Sequence, residues 1–322
     1  MVRLFGPYLR ASAGPSAIAT TSGSLEVLNG GSSRGSRTTA APSVPWRHSV
    51  ADTPERLATG LTRYGPWALI TGGSEGVGAE VAAQLATAGI NLILVARKPE
   101  PLAETAQRCR AAGVEVITLA LDLTAVDAAD QIAAATEGLE VGLLVHNAGA
   151  NTCNDEFLDA ESNSIDTSLD LNIAVMLALV RQFGRPMRQR RRRGILLVGS
   201  MSGYLGARRH AIYGAVKAFS RIFAESLWLE LREHDVDVLH LVLGLTRTPA
   251  MQRAGINFDT PGLTVSDPAD VAREGLRQLP HGPVHIVGGN AGALAHSTRP
   301  DRAAVLLETQ EMMQQLLGPQ SK

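Results

Sequence analysis

From Trp67 onward, short apolar runs rich in Val, Ile and Leu alternate with longer segments in which apolar side chains recur at helical spacing. The runs at 67–70, 91–96, 114–121, 142–146, 194–199, 236–243 and 284–287 read as strands. They are nearly continuous rather than alternating, the pattern of strands buried on both faces of a parallel sheet. The segments at 78–88, 101–112, 125–136, 165–182, 212–233 and 268–278 carry a period near 3.6, and several end near Gly or Pro, so they read as crossover helices. The expected fold is therefore α/β, with a doubly wound, seven-stranded parallel sheet and helices on both faces, in one domain spanning 61–322. A last amphipathic stretch, 301–317, is expected to pack on this body, with a dimer contact or a lid over a pocket as its alternatives.

Composition changes this picture only at the amino end. Residues 11–43 are mostly Ala, Gly, Ser, Thr and Pro without apolar period, too little to offset ordering entropy, and residues 1–60 are read as a disordered or low-complexity extension. Because the first fifty residues hold arginines and a single acid, Glu26, an organellar transit peptide and an inert extension from a misplaced start are the two readings of that segment.

Charge and cysteine count then exclude several classes. With 30 basic and 31 acidic side chains the net charge is −1, which leaves no bulk positive field for nucleic acid or an anionic membrane. The run Arg190 to Arg193 precedes a predicted strand and reads as a solvated turn, with an anionic cofactor tail or an acyl carrier as the sharper alternative. No apolar run approaches the roughly 20 residues that span a bilayer. Two cysteines, Cys109 and Cys153, match neither a disulfide framework nor a zinc site, so no metal is expected and a reducing cytoplasm fits.

The first strand runs into TGGSEGVG, residues 71–78, and then into a helical pattern. In such a strand, turn and helix unit Gly72 allows the tight turn, Gly76 lets backbone approach a pyrophosphate and Gly78 lets the helix pack closely. Helix N–H groups then face the phosphate charge, with Ser74 and Val77 completing the cradle. About 25 residues later the second strand ends at Arg97, followed by Lys98, where a ribose-reading group belongs. A guanidinium there suits a 2′-phosphate and no acid stands in its place, so NADP(H) is favoured over NAD(H), although Glu75 in the phosphate turn argues mildly against a second phosphate.

Catalytic chemistry is legible around the fifth strand. In HAIYGAVKAF, Tyr213 and Lys217 stand four apart, on one face of a predicted helix. Lys217 is one of only three lysines in the chain, and a nearby ammonium lowers the pKa of a phenol toward the working range. Ser200 ends the preceding strand at the carboxyl edge, where open α/β sheets bind ligands, so its hydroxyl is placed to bond a substrate carbonyl. Tyr204 and Arg208 share the four-residue spacing, but Gly203 and Gly206 make that stretch loop-like, and Ser202 lies past the strand end.

TGGSEGVG, HNAG at 146–149, Asn172, Ser200 and YGAVK together resemble the short-chain dehydrogenase/reductase family, over nearly all of residues 65–320. Tyr213 stands thirteen positions after Ser200, and the TGxxxGxG form resembles the shorter, Rossmann-type members. The resemblance implies Tyr213 as catalytic acid/base, Lys217 lowering its pKa and holding ribose hydroxyls, Ser200 orienting the substrate oxygen and Asn172 binding a relay water. It also implies that Asp122 and Leu123 contact adenine and that Asn147, Ala148 and Gly149 line the cofactor, with Gly244, Thr246 and Thr248 following strand six. Departures are Leu243 in place of the usual proline, His146 in place of the commoner asparagine, and Glu75 where a basic residue is often found.

The expected activity is NADP(H)-dependent hydride transfer to or from a carbonyl or secondary alcohol, in a homodimer or homotetramer. Residues 246–266 occupy the position of a mobile substrate loop, whose Met251, Ile256, Phe258 and Leu263 offer an apolar lining. The segment RYGPWALITGGSEGVG resembles the branch of 3-oxoacyl-CoA reductases and hydroxysteroid dehydrogenases, which implies a hydrophobic substrate. The alternative is a non-catalytic NADP(H)-binding redox sensor or scaffold.

Overall fold

A computed structural model describes residues 60–317, so the extension read over 1–60 lies, but for Gly60, outside the described residues. Seven strands appear where the apolar runs stand: β1 (Trp67–Thr71), β2 (Asn91–Ala96), β3 (Val116–Ala120), β4 (Val141–His146), β5 (Arg193–Ser200), β6 (Val236–Leu243) and β7 (Val284–Ile286). They form one parallel sheet in the order β3-β2-β1-β4-β5-β6-β7. The chain first builds outward from β1 and then reverses to add β4, and the crevice at that reversal is where this architecture binds ligands.

Among the described residues ten α-helices accompany the sheet: α1 (Gly76–Thr87), α2 (Pro99–Arg110), α3 (Ala128–Ala135), α4 (Ser162–Leu169), α5 (Val175–Arg190), α6 (Ala211–Leu231), α7 (Pro249–Arg253), α8 (Pro268–Gln278), α9 (Ala291–Ser297) and α10 (Arg302–Leu317). Helices α1, α2 and α8 bury Val81, Leu85, Leu102, Val271 and Leu276 with Ile70 and Leu92 on one face. On the other face α3, α5 and α6 bury Ile132, Met176, Leu179 and Ala224 with Leu69 and Leu144. Each sheet face thus owns a separate apolar core, which is why the strand runs are apolar at every position.

Helix α4 continues through one π-helical stretch, Asp170–Ala174, into α5. The resulting rod, Ser162–Arg190, is long and apolar enough by length and composition to cross a membrane. Its apolar side chains, among them Val175, Leu179, Phe183 and Met187, are buried against the sheet, as in a core helix. Arg193 opens β5 and pairs with Glu140, so the arginine run lies at the amino end of that strand. Ser200 is at the other end, and an eight-residue strand spans roughly 26 Å. The run therefore cannot reach a cofactor bound at the carboxyl edge.

Candidate active site

The carboxyl ends of β1, β4, β5 and β6 open onto a cavity of about 1340 Å³, bounded by the glycine turn, residues 147–151 and α7. Gly72 and Gly76 take φ of +68° and +58°, a region costly for other residues. A Cβ on Gly78 would lie 2.2 Å from Gly72 O and 2.5 Å from Asn147 Nδ2, so this glycine packs on the turn itself. Asn147 Nδ2 donates to Gly72 O at 2.9 Å, and Ala148 N–H donates to Thr71 Oγ1 at 3.2 Å. Thr71 Oγ1 is also 3.1 Å from Nδ1 of the buried His146. These bonds stitch the end of β4 to the glycine turn, a job in which His146 takes part and which the sequence did not reveal.

Ser74, Gly76, Val77, Arg97, Lys98 and Leu123 line one lobe of the cavity. The Asp122 carboxylate does not line it, since it accepts from Thr124 N and Thr124 Oγ1 at 3.0 and 2.9 Å and shapes the turn after β3. Among the described residues Glu75 is the only acid on the cavity wall, and it is ion-paired with Arg253 at the end of α7. Hydrogen bonds from Arg253 hold its carboxyl below the usual range, with Lys98 nearby. The objection that Glu75 raised to a second phosphate is thus answered by a cation from a loop 178 residues away.

The other lobe holds the catalytic candidates. Asn172, Ser200, Tyr213 and Lys217 converge, although they come from the π-helical stretch, the end of β5 and α6. Ser200 Oγ accepts from Ser202 N–H at 3.1 Å and so caps the turn after β5, while Ser200 also hydrogen-bonds the Tyr213 hydroxyl. Lys217 is buried, with Nζ donating to Val198 O at 3.3 Å and lying 5.7 Å from the centre of the Tyr213 ring. A Cβ on Gly149 would lie 2.8 Å from Asn172 Oδ1 and 2.9 Å from Lys217 Nζ, so Asn172 and Lys217 meet beneath that glycine.

Electrostatics correct one expectation. Burial pushes the Tyr213 phenol above its ordinary value, and the hydrogen bond from Ser200 opposes it only in part. Burial also lowers Lys217 to about 8, because an ammonium is costly away from water. In the bare protein desolvation outweighs the help that Lys217 was expected to give Tyr213. The discounted Tyr204 and Arg208 do not act together: Tyr204 stacks under Arg221, and Arg208 pairs with Glu156.

Residues Gly244, Thr246 and Thr248 also reach the cavity. Where a proline is absent at Leu243, the following turn is held by a parallel bridge between Thr246 and Ser266, with Arg247 N–H donating to Ser266 O at 2.9 Å. Of the loop's apolar side chains, Met251 and Ile256 line the cavity, whereas Phe258 is buried beneath the Arg247 guanidinium and Leu263 is off the wall. Helix α10 packs through buried Val305, and Arg302 donates to Tyr204 O at 3.2 Å. Its Met313 reaches the cavity, so packing and lining are combined.

The donor set fits a dinucleotide. Asn172 Oδ1 is buried with no hydrogen-bond partner among the described residues, Lys217 has donors to spare beyond Val198 O, and Gly72 and Gly76 bring backbone without a Cβ to the cavity wall. Both cysteines are buried and free, and the described residues contain no cluster of metal-ligating side chains.

A sequence model of the short chain dehydrogenase family matches residues 66–257. A very-long-chain 3-oxoacyl-CoA reductase of Neurospora crassa is 33% identical over 229 residues, 69% of this chain and 68% of that protein. A 7beta-hydroxysteroid dehydrogenase of Clostridium sardiniense is 28% identical over 218 residues, 67% of this chain and 83% of that protein. Among solved structures, a 7beta-hydroxysteroid dehydrogenase superposes with a TM-score of 0.70 at 26% identity, over 76% of this chain and 97% of its own. A short-chain dehydrogenase from Sphingobium yanoikuyae in complex with NADPH gives 0.65 at 28% identity, over 80% and 99%.

Proposed function

The chain belongs to the short-chain dehydrogenase family, whose members are oxidoreductases acting on CH–OH and C=O groups, and from that premise we propose an NADP(H)-dependent reductase of hydrophobic carbonyl compounds. A 3-oxoacyl thioester or a steroid-like ketone is the substrate class, and the corresponding secondary alcohol is oxidised in reverse. The observation that carries the reading is the convergence of Ser200, Tyr213 and the buried Lys217 on the wall of a cavity that begins at the glycine turn.

When bound, nicotinamide supplies or accepts the hydride. Ser200 holds the carbonyl oxygen beside the Tyr213 hydroxyl, and Tyr213 passes its proton to that oxygen. Lys217 places positive charge near the phenol once ribose hydroxyls share its ammonium, which favours the phenolate that remains. Asn172 Oδ1 accepts from a water that returns a proton toward Lys217. Arg97 and Lys98 stand at the opposite lobe, where a 2′-phosphate gains from both cations and Glu75 is already neutralised by Arg253. Met251, Ile256 and Met313 support an apolar substrate, as do the names of the relatives.

The same reading makes the enzyme a homo-oligomer. A groove of about 390 Å³ between α5 and α6 is lined by Leu177, Val180, Phe223 and Leu227, with Leu229 of α6 exposed, and light scattering of the eluting protein gives its mass.

Parallel fluorescence titrations with NADPH and NADH, followed by a panel of 3-oxoacyl thioesters and ketosteroids, test the proposal. Tighter NADPH binding with turnover on the panel is expected, and Tyr213→Phe abolishes turnover while leaving NADPH affinity nearly intact. Binding without any turnover leaves a redox sensor or scaffold, and failure to bind either nucleotide overturns the reading.

A further inference from the structure

Strand β6 is apolar around its middle except for His240, whose ring is completely buried. Its backbone does nothing unusual: His240 stands opposite Leu197 of β5, and its N–H donates to Pro283 O at 2.8 Å. Ring atom Nε2 lies 3.0 Å from Ser220 Oγ, and the Ser220 hydroxyl donates to Lys217 O at 2.9 Å. A serine has one hydroxyl proton, so with that proton on Lys217 O the Ser220 oxygen accepts from His240 Nε2–H. Nδ1 is then a bare acceptor, and it is buried without a partner among the described residues. A leucine would avoid that cost, so packing alone does not account for the imidazole.

The surroundings of the ring show what it can set. A Cβ on Gly199 would lie 2.1 Å from His240 Cε1 and 2.4 Å from Nε2, so the ring fills the space left by the residue just before Ser200. Its other side holds Ser220, one turn beyond Lys217. Gly203, in the turn that follows Ser200, lies against the same peptide, for a Cβ there would be 2.8 Å from Lys217 C and 3.0 Å from Lys217 O. The Lys217 carbonyl is therefore gripped between that turn and the hydroxyl that His240 orients.

We propose that His240 is a positioning residue for proton transfer: its ring spaces α6 from the carboxyl end of β5 and, through Ser220, fixes the Lys217 peptide so that Ser200, Tyr213 and Lys217 meet. The proposal rests on the roles given to those three residues above. His240 itself touches no reacting atom. The role needs a neutral ring, and burial keeps it neutral, with Lys217 and Arg221 of α6 adding positive charge that opposes protonation. Gly199 of β5 and Pro283 before β7 bring no ionisable group to it.

The test compares His240→Leu, His240→Gln and Ser220→Ala with wild type for kcat, KM, NADPH affinity and melting temperature, with Tyr213→Phe alongside. His240→Leu and Ser220→Ala are expected to lower kcat about tenfold or more, the effect of a small misplacement of reacting groups. KM should stay within about twofold, since the substrate wall is untouched, and NADPH affinity should fall much less than kcat, since Lys217 is only one of the groups that hold the cofactor. His240→Gln, whose amide N–H can reach Ser220, recovers most of kcat. An unchanged kcat in folded His240→Leu overturns the proposal, as does a loss shared equally by kcat, cofactor affinity and melting temperature. If His240→Leu does not fold, Ser220→Ala carries the test, and unchanged kcat there overturns it equally. Residual wild-type rates in Tyr213→Phe sink the assignment of the three residues, an outcome separate from the behaviour of the His240 variants.

Discussion

Lys217 shows how far a single residue can be read from sequence and where physical surroundings take over. Its spacing from Tyr213 and the scarcity of lysine make it conspicuous, but it is buried in a site that Gly149 and Asn172 approach from distant elements. Burial penalises the ammonium, so the folded-state pKa falls from the ordinary lysine value to about 8. The sign is definite: the bare protein keeps the charge below about pH 8 and loses it as pH rises through that value. Protein labelled with ¹³C at lysine Cε offers few signals, because the chain has three lysines. The signal missing from Lys217→Arg should titrate near pH 8, and a midpoint near 10.4, the value of an ordinary lysine, would contradict the burial argument.

At the scale of elements, strands were legible to within a residue or two because continuous apolar runs have few other uses. Helices were legible as masses rather than in detail. The stretch at 165–182 is longer, Ser162–Arg190, and contains a π-helical segment that a 3.6-residue period cannot disclose. That segment bears Asn172, in keeping with the frequent siting of such turns at functional positions. Least legible was the pairing of Glu75 with Arg253, because nothing local in either segment points to the other. Both side chains are partly exposed, so the pair itself is worth no more than about 1 kcal/mol. Its effect on binding is to cancel an acid beside a phosphate site. Arg253→Ala should therefore weaken NADPH binding roughly fivefold, which is about 1 kcal/mol. NADH binding should change less, and adding Glu75→Gln should restore NADPH affinity. An affinity for NADPH that is the same in Arg253→Ala and wild type would remove α7 from cofactor selection.

The whole molecule places two buried histidines on either side of Lys217, His146 at the end of β4 and His240 in β6, and burial holds both at about 3. Each stands at a strand position flanked by apolar residues, far apart in the chain, and only the strand order β4-β5-β6 brings them to the same helix. Their shifts make a statement about stability. An unfolded chain protonates both rings near pH 6.5, while the folded chain resists until about pH 3, so the stability they contribute is complete above 6.5 and drains away as pH falls toward 3. At 1.36 kcal/mol per unit, each ring removes about 2 kcal/mol by pH 5. For a fold stable by about 5–15 kcal/mol, two such rings take a large share. Carboxylates held low, such as Glu75 and Glu274, act only below their ordinary values near 4.5, so the interval from pH 7.5 to 5 isolates the histidines. Urea midpoints measured across that interval should drop steeply in the wild type, and His240→Gln should show about half that drop because one of the two rings is gone. A drop equal in both proteins would mean that the His240 ring takes up its proton in the folded state, which its burial against Gly199 and its pairing with Ser220 argue against.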